Sequence, residues 1–139
     1  MDVSQLPFNQ WLGLSVCDDT ICLLPQPQHL NHVETVHAAV IFGMAEAAAG
    51  HWLSLRYPEL EKSHVALLRQ SNVKYRHPAI AGVQLIGSAT CDEATAAGFL
   101  TTLQERGRAV LEISAAVHQA DNRILQATFG WFASQRAKH

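Results

Sequence analysis

The hydrophobic positions of this chain change period several times, and those changes divide it into elements. Leu6, Phe8, Trp11 and Leu12 fall at mixed helical spacing and predict a short leading helix over residues 4–13. Residues 14–25, LSVCDDTICLLP, read as two short strands turning at Asp18-Asp19 and ended by Pro25 and Pro27. A polar, histidine-containing loop runs from Gln26 to Val36. The longest apolar run follows, HAAVIFGMAEAAAGHWLSL, too long and too alanine-rich for a strand and without period-two alternation. It predicts a helix from about His37 to Arg56, a cation that suits a helix C-terminus, with Pro58 preventing continuation.

After this helix the alternation is that of strands. Residues 65–77 predict one, running into the turn-like Pro78-Ala79-Ile80-Ala81-Gly82. Residues 83–91 put Val83, Leu85, Ala89 and Cys91 on one face. Residues 109–118 oppose Leu111, Ile113, Ala115 and Val117 to Glu112, Ser114 and His118. A turn at Asp121-Asn122 leads to residues 123–133, where Leu125, Ala127, Phe129 and Trp131 share a face. Residues 93–106 read as a short helix in preference to a loop. One long apolar helix among five or six strands leaves too few helices for an alternating parallel fold. The expectation is an α+β domain whose antiparallel sheet wraps the helix.

The totals narrow the picture. A length of 139 residues holds one core, so residues 1–139 are read as a single domain. Ten basic against 12 acidic residues lack the basic excess of a nucleic-acid binder. A hydrophobic share of 48% excludes a disordered chain, and a charged share of only 16% fits a subunit that hides surface in an oligomer. The start, Met1-Asp2-Val3-Ser4-Gln5, lacks the pattern of a signal peptide. Glu46 and His51 interrupt the best membrane candidate, so no span is expected and the cytoplasm is the expected compartment. Cys17, Cys22 and Cys91 show no metal-site spacing and are expected reduced, although a tight turn at Asp19-Thr20 would set Cys17 and Cys22 facing each other across the first hairpin. His29, His32 and His37 match no zinc pattern and read as loop histidines, so no metal is expected.

Glu46 is the only charged residue between Ala38 and Gly50. A carboxylate inside a buried helix is costly unless it is paired, neutral or facing a cavity. It is therefore either a packed group satisfied by a hydroxyl or an Arg, or a functional acid in a cleft. The spacing favours the second. Asn31 precedes His37 by six residues, and Glu46 follows His37 by nine, about two and a half turns along the helix. The amides of Ala38 and Ala39 lie at the helix N-terminus, where free N–H groups and the positive dipole end suit a developing oxyanion.

The stretch NHVETVHAAVIFGMAEAAAG resembles the signature of hotdog-fold thioesterases of the phenylacetyl-CoA thioesterase-like group, which reads Asn, then His-Gly-Gly, then an acid nine residues after the His. YRHPA at 75–79, GRAV at 107–110 and the closing strand pair are similar too, so the likeness runs from about Leu14 to Ala133. It implies a hotdog fold and a homodimer, or a dimer of dimers, with two equivalent sites at the subunit interface. It implies hydrolysis of an acyl-CoA or related thioester, with coenzyme A as part of the substrate and no other cofactor. Glu46 would act as general base or nucleophile, Asn31 would orient water or the carboxylate, and His37 would position the helix start or polarise the thioester. An amide of Ala38 or Ala39 would hold the oxyanion.

The chain departs from that pattern at two places. Ala38-Ala39 replaces Gly-Gly, which helical geometry tolerates but which narrows the space beside a thioester. Leu68 stands where some relatives carry a Ser or Thr, leaving Ser71 as a neighbouring hydroxyl. These departures keep open a second reading, a hotdog protein that binds acyl-CoA without turnover. A hydratase or dehydratase ranks last, since the chain lacks a His-Phe-Pro-like setting. Lys74 and Arg76 on one strand face, and Arg108 beside Gly107, are candidates for the coenzyme A phosphates; the alternative for each is a solvated edge.

Overall fold

The alternating segments close into one antiparallel sheet. The computed structural model describes residues 1–137. A short 3-10 turn at Val3–Gln5 and helix α1 (Pro7–Leu12) precede strands β1 (Ser15–Cys17) and β2 (Thr20–Leu23). The long helix α2 (Ala38–Arg56) follows, then β3 (His64–Tyr75), β4 (Leu85–Thr90), helix α3 (Glu93–Arg106), β5 (Arg108–Gln119) and β6 (Asn122–Gln135). The six strands lie in the order β1-β2-β4-β5-β6-β3, every pair antiparallel. With α2 packed against one face, this is the hotdog arrangement, as expected.

The core lies between α2 and that face. Leu111, Ile113 and Val117 of β5, Leu125 and Phe129 of β6, and Leu85 of β4 are sealed from solvent with Met44 and Ala45 of α2. Each large side chain buried there contributes about 1.5–3 kcal/mol. Small residues bring helix and sheet together. Gly87 of β4 takes the inward position between Leu85 and Ala89, and a Cβ on it would stand 3.2 Å from the Met44 carbonyl oxygen. On another side of α2, a Cβ on Gly43 would meet Leu12 Cδ1 at 2.9 Å, so the bare backbone there receives α1. The segment over 93–106 is helical. Asp92 caps it by accepting the Thr95 amide at 3.0 Å, Gly107 ends it at φ 71°, and Ala96, Phe99 and Leu103 form its buried face.

Several expectations change. α2 is not enclosed on every side. Phe42, Glu46, Gly50 and Leu53, spaced three or four residues apart, form a half-buried stripe that continues the exposed Ala39. α2 is also long and apolar enough by composition to cross a membrane, with a mean hydropathy of 1.3, because one Glu and one His do not offset its Ala, Val, Ile, Phe and Leu. Here that apolarity is spent against the sheet. The fourth strand begins at Leu85, leaving Val83 and Cys91 outside it. Cys17 pairs with Thr20 and Cys22 with Ser15, so the two thiols are diagonal neighbours, not opposite, and both are free.

Candidate active site

The half-buried stripe of α2 opens on a cavity of about 410 Å³. Glu46, Gly50, Leu53 and Tyr57 form one wall, Ala66 and Leu68 of β3 another, and Trp131 of β6, Phe99 of α3 and Val3 close it. Residues 46, 50 and 53 share a helix face, with Tyr57 the C-cap just beyond it, so a single row of α2 carries both the carboxylate and apolar surface beside it. Among the described residues nothing donates to the Glu46 carboxylate. Burial alone pushes its pKa above the ordinary 4.5. The indole N–H of Trp131 is also buried without an acceptor.

The second cluster lies at the start of α2. His37 is the N-cap, and its Nδ1 accepts the Ala39 amide at 3.0 Å. That bond requires the hydrogen on Nε2. It also occupies one of the two amides in question. Among the described residues no acceptor meets the Ala38 N–H, while the Ala38 carbonyl accepts from Tyr75 Oη at 3.2 Å. The free donor at the helix start is therefore Ala38, not Ala39.

Asn31 stands just upstream and is engaged in its own loop. Its Oδ1 accepts the amides of Val33 and Thr35 at 3.0 and 3.1 Å, and its Nδ2 donates to Thr35 Oγ1 at 2.9 Å. These bonds shape the turn that delivers His37 to the helix, with Glu34 at φ 61°. His29 is also structural: Nδ1 accepts the Gln26 amide at 2.9 Å, so Nε2 donates to the Leu12 carbonyl at 2.8 Å.

The two clusters are separated within one chain. Nine helical residues from His37 to Glu46 span about 13.5 Å along the axis. The basic candidates divide as well. Lys74 pairs across strands with Gln126, and the Arg76 guanidinium donates to Gln126 Oε1 at 3.4 Å, so both stand at the end of the sheet nearest Tyr75 and Ala38. Arg108 pairs with Ser134, eight residues farther along β6, about 26 Å away.

One feature lay beyond the reach of the sequence pattern. The β3–β6 register shifts between Leu68 and Gln70, so that Leu68 pairs with Trp131 and Ser71 with Phe129. The extra residue turns Ser71 to the helix-facing side, where regular alternation from Leu68 would point it outward. Gly50 was likewise visible only as a small residue; its spacing of four from Glu46 was the signal that it shares the acid's face.

A family described as Domain of unknown function (DUF4442) matches residues 21–132. No curated protein matches the chain in sequence. Among solved structures, the chain is similar to a Pseudomonas aeruginosa protein described as a probable thioesterase (TM-score 0.78, 16% identity, 96% of this chain and 91% of that one). It is similar also to a Bacillus halodurans protein solved with CoA (TM-score 0.69, 15% identity, 91% and 74%). A variant of the phenylacetic acid degradation protein PaaI from Thermus thermophilus gives a TM-score of 0.65 at 16% identity over 91% and 98% of the two chains. At these identities what is shared is the fold.

Proposed function

The chain belongs to the DUF4442 family, and from its hotdog architecture and the placement of Glu46 we propose that it hydrolyses acyl-CoA thioesters. The observation that carries this reading is an unpaired carboxylate, raised in pKa by burial, on the wall of an apolar cavity. Such a group is a stronger base than a solvated carboxylate, and the cavity offers room for an acyl chain beside it. Glu46 takes a proton from water as it adds to the thioester carbonyl, or attacks that carbon itself. The C–S bond then breaks and the leaving thiolate is protonated; where Glu46 itself attacks, water next hydrolyses the resulting anhydride, releasing the acid and restoring the carboxylate. The similarity to proteins described as thioesterases, and to one solved with CoA, supports the same class.

The oxyanion falls to the free Ala38 amide, with the helix dipole adding to its strength. Since Ala38 and Glu46 lie more than two turns apart along α2, each site draws Glu46 from one copy and Ala38 from another. A homodimer is therefore part of the proposal. We assign Lys74 and Arg76, at the Ala38 end of the sheet, to the coenzyme A phosphates of the site that Ala38 serves; Arg108 lies about 26 Å from that end within the same chain.

The test is thiol release from a panel of acyl-CoAs by the wild type and Glu46→Gln. Turnover by the wild type and its loss in the variant by at least about a hundredfold are expected. Equal rates in both would remove Glu46 from the chemistry. Tight acyl-CoA binding without thiol release would make the protein a binding module.

A further inference from the structure

Glycine is the poorest helix former after proline, and α2 carries two of them in its interior. Gly43 is explained by packing, because a Cβ would stand 2.9 Å from Leu12 Cδ1. Gly50 is not. A Cβ there would touch only Trp131 Cη2 and Val3 Cγ1, both at 3.8 Å, which is ordinary contact. No backbone approaches it, and its φ is not positive. What it borders instead is the cavity beside Glu46. The absent side chain leaves the space between Val3 and Trp131 on the wall of that cavity unfilled.

Building on the thioesterase reading, we propose that Gly50 is a specificity-determining residue that admits a medium-length, unbranched acyl chain past Glu46. The row that starts at Glu46 passes Gly50 and Leu53 and ends against Tyr57 and Phe99. From Glu46 it is about 10 Å along the helix to Leu53 and about 16 Å to Tyr57 at 1.5 Å per residue. An extended chain with bonds of about 1.5 Å advances about 1.3 Å per carbon, so the channel takes roughly eight to twelve carbons. Any side chain at position 50 would stand across this path, between Val3 on one wall and Trp131 on the other, while leaving Glu46 free to meet a short thioester.

The experiment compares wild type, Gly50→Ala and Gly50→Leu. It measures kcat/KM on acetyl-, octanoyl- and dodecanoyl-CoA, calorimetric binding of a non-hydrolysable octanoyl-CoA thioether, and the thermal midpoint. Both substitutions introduce better helix formers, and Gly50→Ala adds one methyl at contact distance, so midpoints at or above the wild type are expected. The octanoyl-to-acetyl ratio should nevertheless fall stepwise, by about tenfold or more in Gly50→Leu, with acetyl turnover retained and thioether binding weakened in parallel. Stability and long-chain activity moving in opposite directions is the signature of a filled channel. A folded Gly50→Leu with an unchanged ratio and unchanged thioether binding would overturn the inference. A wild type that binds the thioether without cleaving any thioester would overturn the hydrolase reading alone, and Gly50 would then be judged on binding. A wild type that neither binds nor cleaves the octanoyl group would overturn the inference, and one that in addition cleaves neither acetyl- nor dodecanoyl-CoA would overturn the hydrolase reading as well.

Discussion

The Nδ1 of His37 accepts the Ala39 amide at 3.0 Å, and the adjacent Ala38 amide is left without an acceptor. The imidazole therefore does the work of an N-cap carboxamide or hydroxyl, and it does so only with the hydrogen on Nε2. His37→Ala should lower stability by about 1 kcal/mol, whereas His37→Asn, a strong capping residue, should restore most of it. Denaturant unfolding of the three proteins measures this. If thiol release recovers in step with stability in His37→Asn, His37 acts by placing the helix start. If release stays low in a fully stable His37→Asn, the imidazole meets the substrate.

Burial holds Glu46 above the ordinary carboxylate value of 4.5. An acid whose pKa is raised on folding costs stability when ionised. That cost is present above its folded pKa and disappears once the pH falls below the unfolded value. Glu46→Gln should therefore be more stable than the wild type at pH 7–8, by on the order of 1 kcal/mol. The gap should close as the pH drops below about 4.5. Activity should run the other way, with kcat/KM rising as the pH passes an inflection above 4.5, since the base must be ionised. An inflection at or below 4.5, together with no stability difference at pH 7, would place the carboxylate in water.

Most of the scaffold was legible because one-sided strands write their register into the sequence. Leu111, Ile113, Ala115 and Val117 alternate in the chain and alternate in the sheet, and Leu125 to Trp131 do the same in β6. The Glu46 position was legible for a related reason: a lone acid in an apolar helix needs a cavity or a partner. What could not be read is what depends on contacts between distant segments. The bulge that turns Ser71 toward α2 leaves no mark in the composition of β3. The loop bonds of Asn31 compete with any role in the site, and a side chain's choice among partners is settled by local backbone geometry. The separation of Arg108 from Lys74 follows from which strands pair, which hydrophobic period does not specify.

Gly87 is the test of how closely helix and sheet must approach. A methyl there would press at 3.2 Å on the Met44 carbonyl oxygen and at 3.5 Å on Ala48 Cβ. Because the first of these is helix backbone, relief requires α2 to shift, and Gly87→Ala should destabilise by about 1–3 kcal/mol. Since α2 carries Glu46, the variant should also change thiol release when assayed well below its unfolding temperature. A loss of stability with unaltered kinetics would mean that the helix moves as a body without disturbing the site.

The division of the site between two copies can be tested by complementation. Ala38 is the first helical residue and its N–H is unbonded. His37 before it has φ −60° and ψ 136°, a conformation that a following proline favours. Ala38→Pro should therefore remove one amide hydrogen at a position where proline is well accepted and leave the fold intact. Alone, it and Glu46→Gln should each lose most thiol release. Mixed in equal amounts and allowed to exchange subunits, half of the dimers pair one variant with the other. If Glu46 and Ala38 of different copies serve the same thioester, one of the two sites in each mixed dimer is wild type, and about a quarter of full activity returns. If they serve the same thioester within one chain, every site retains one defect, and mixing restores nothing.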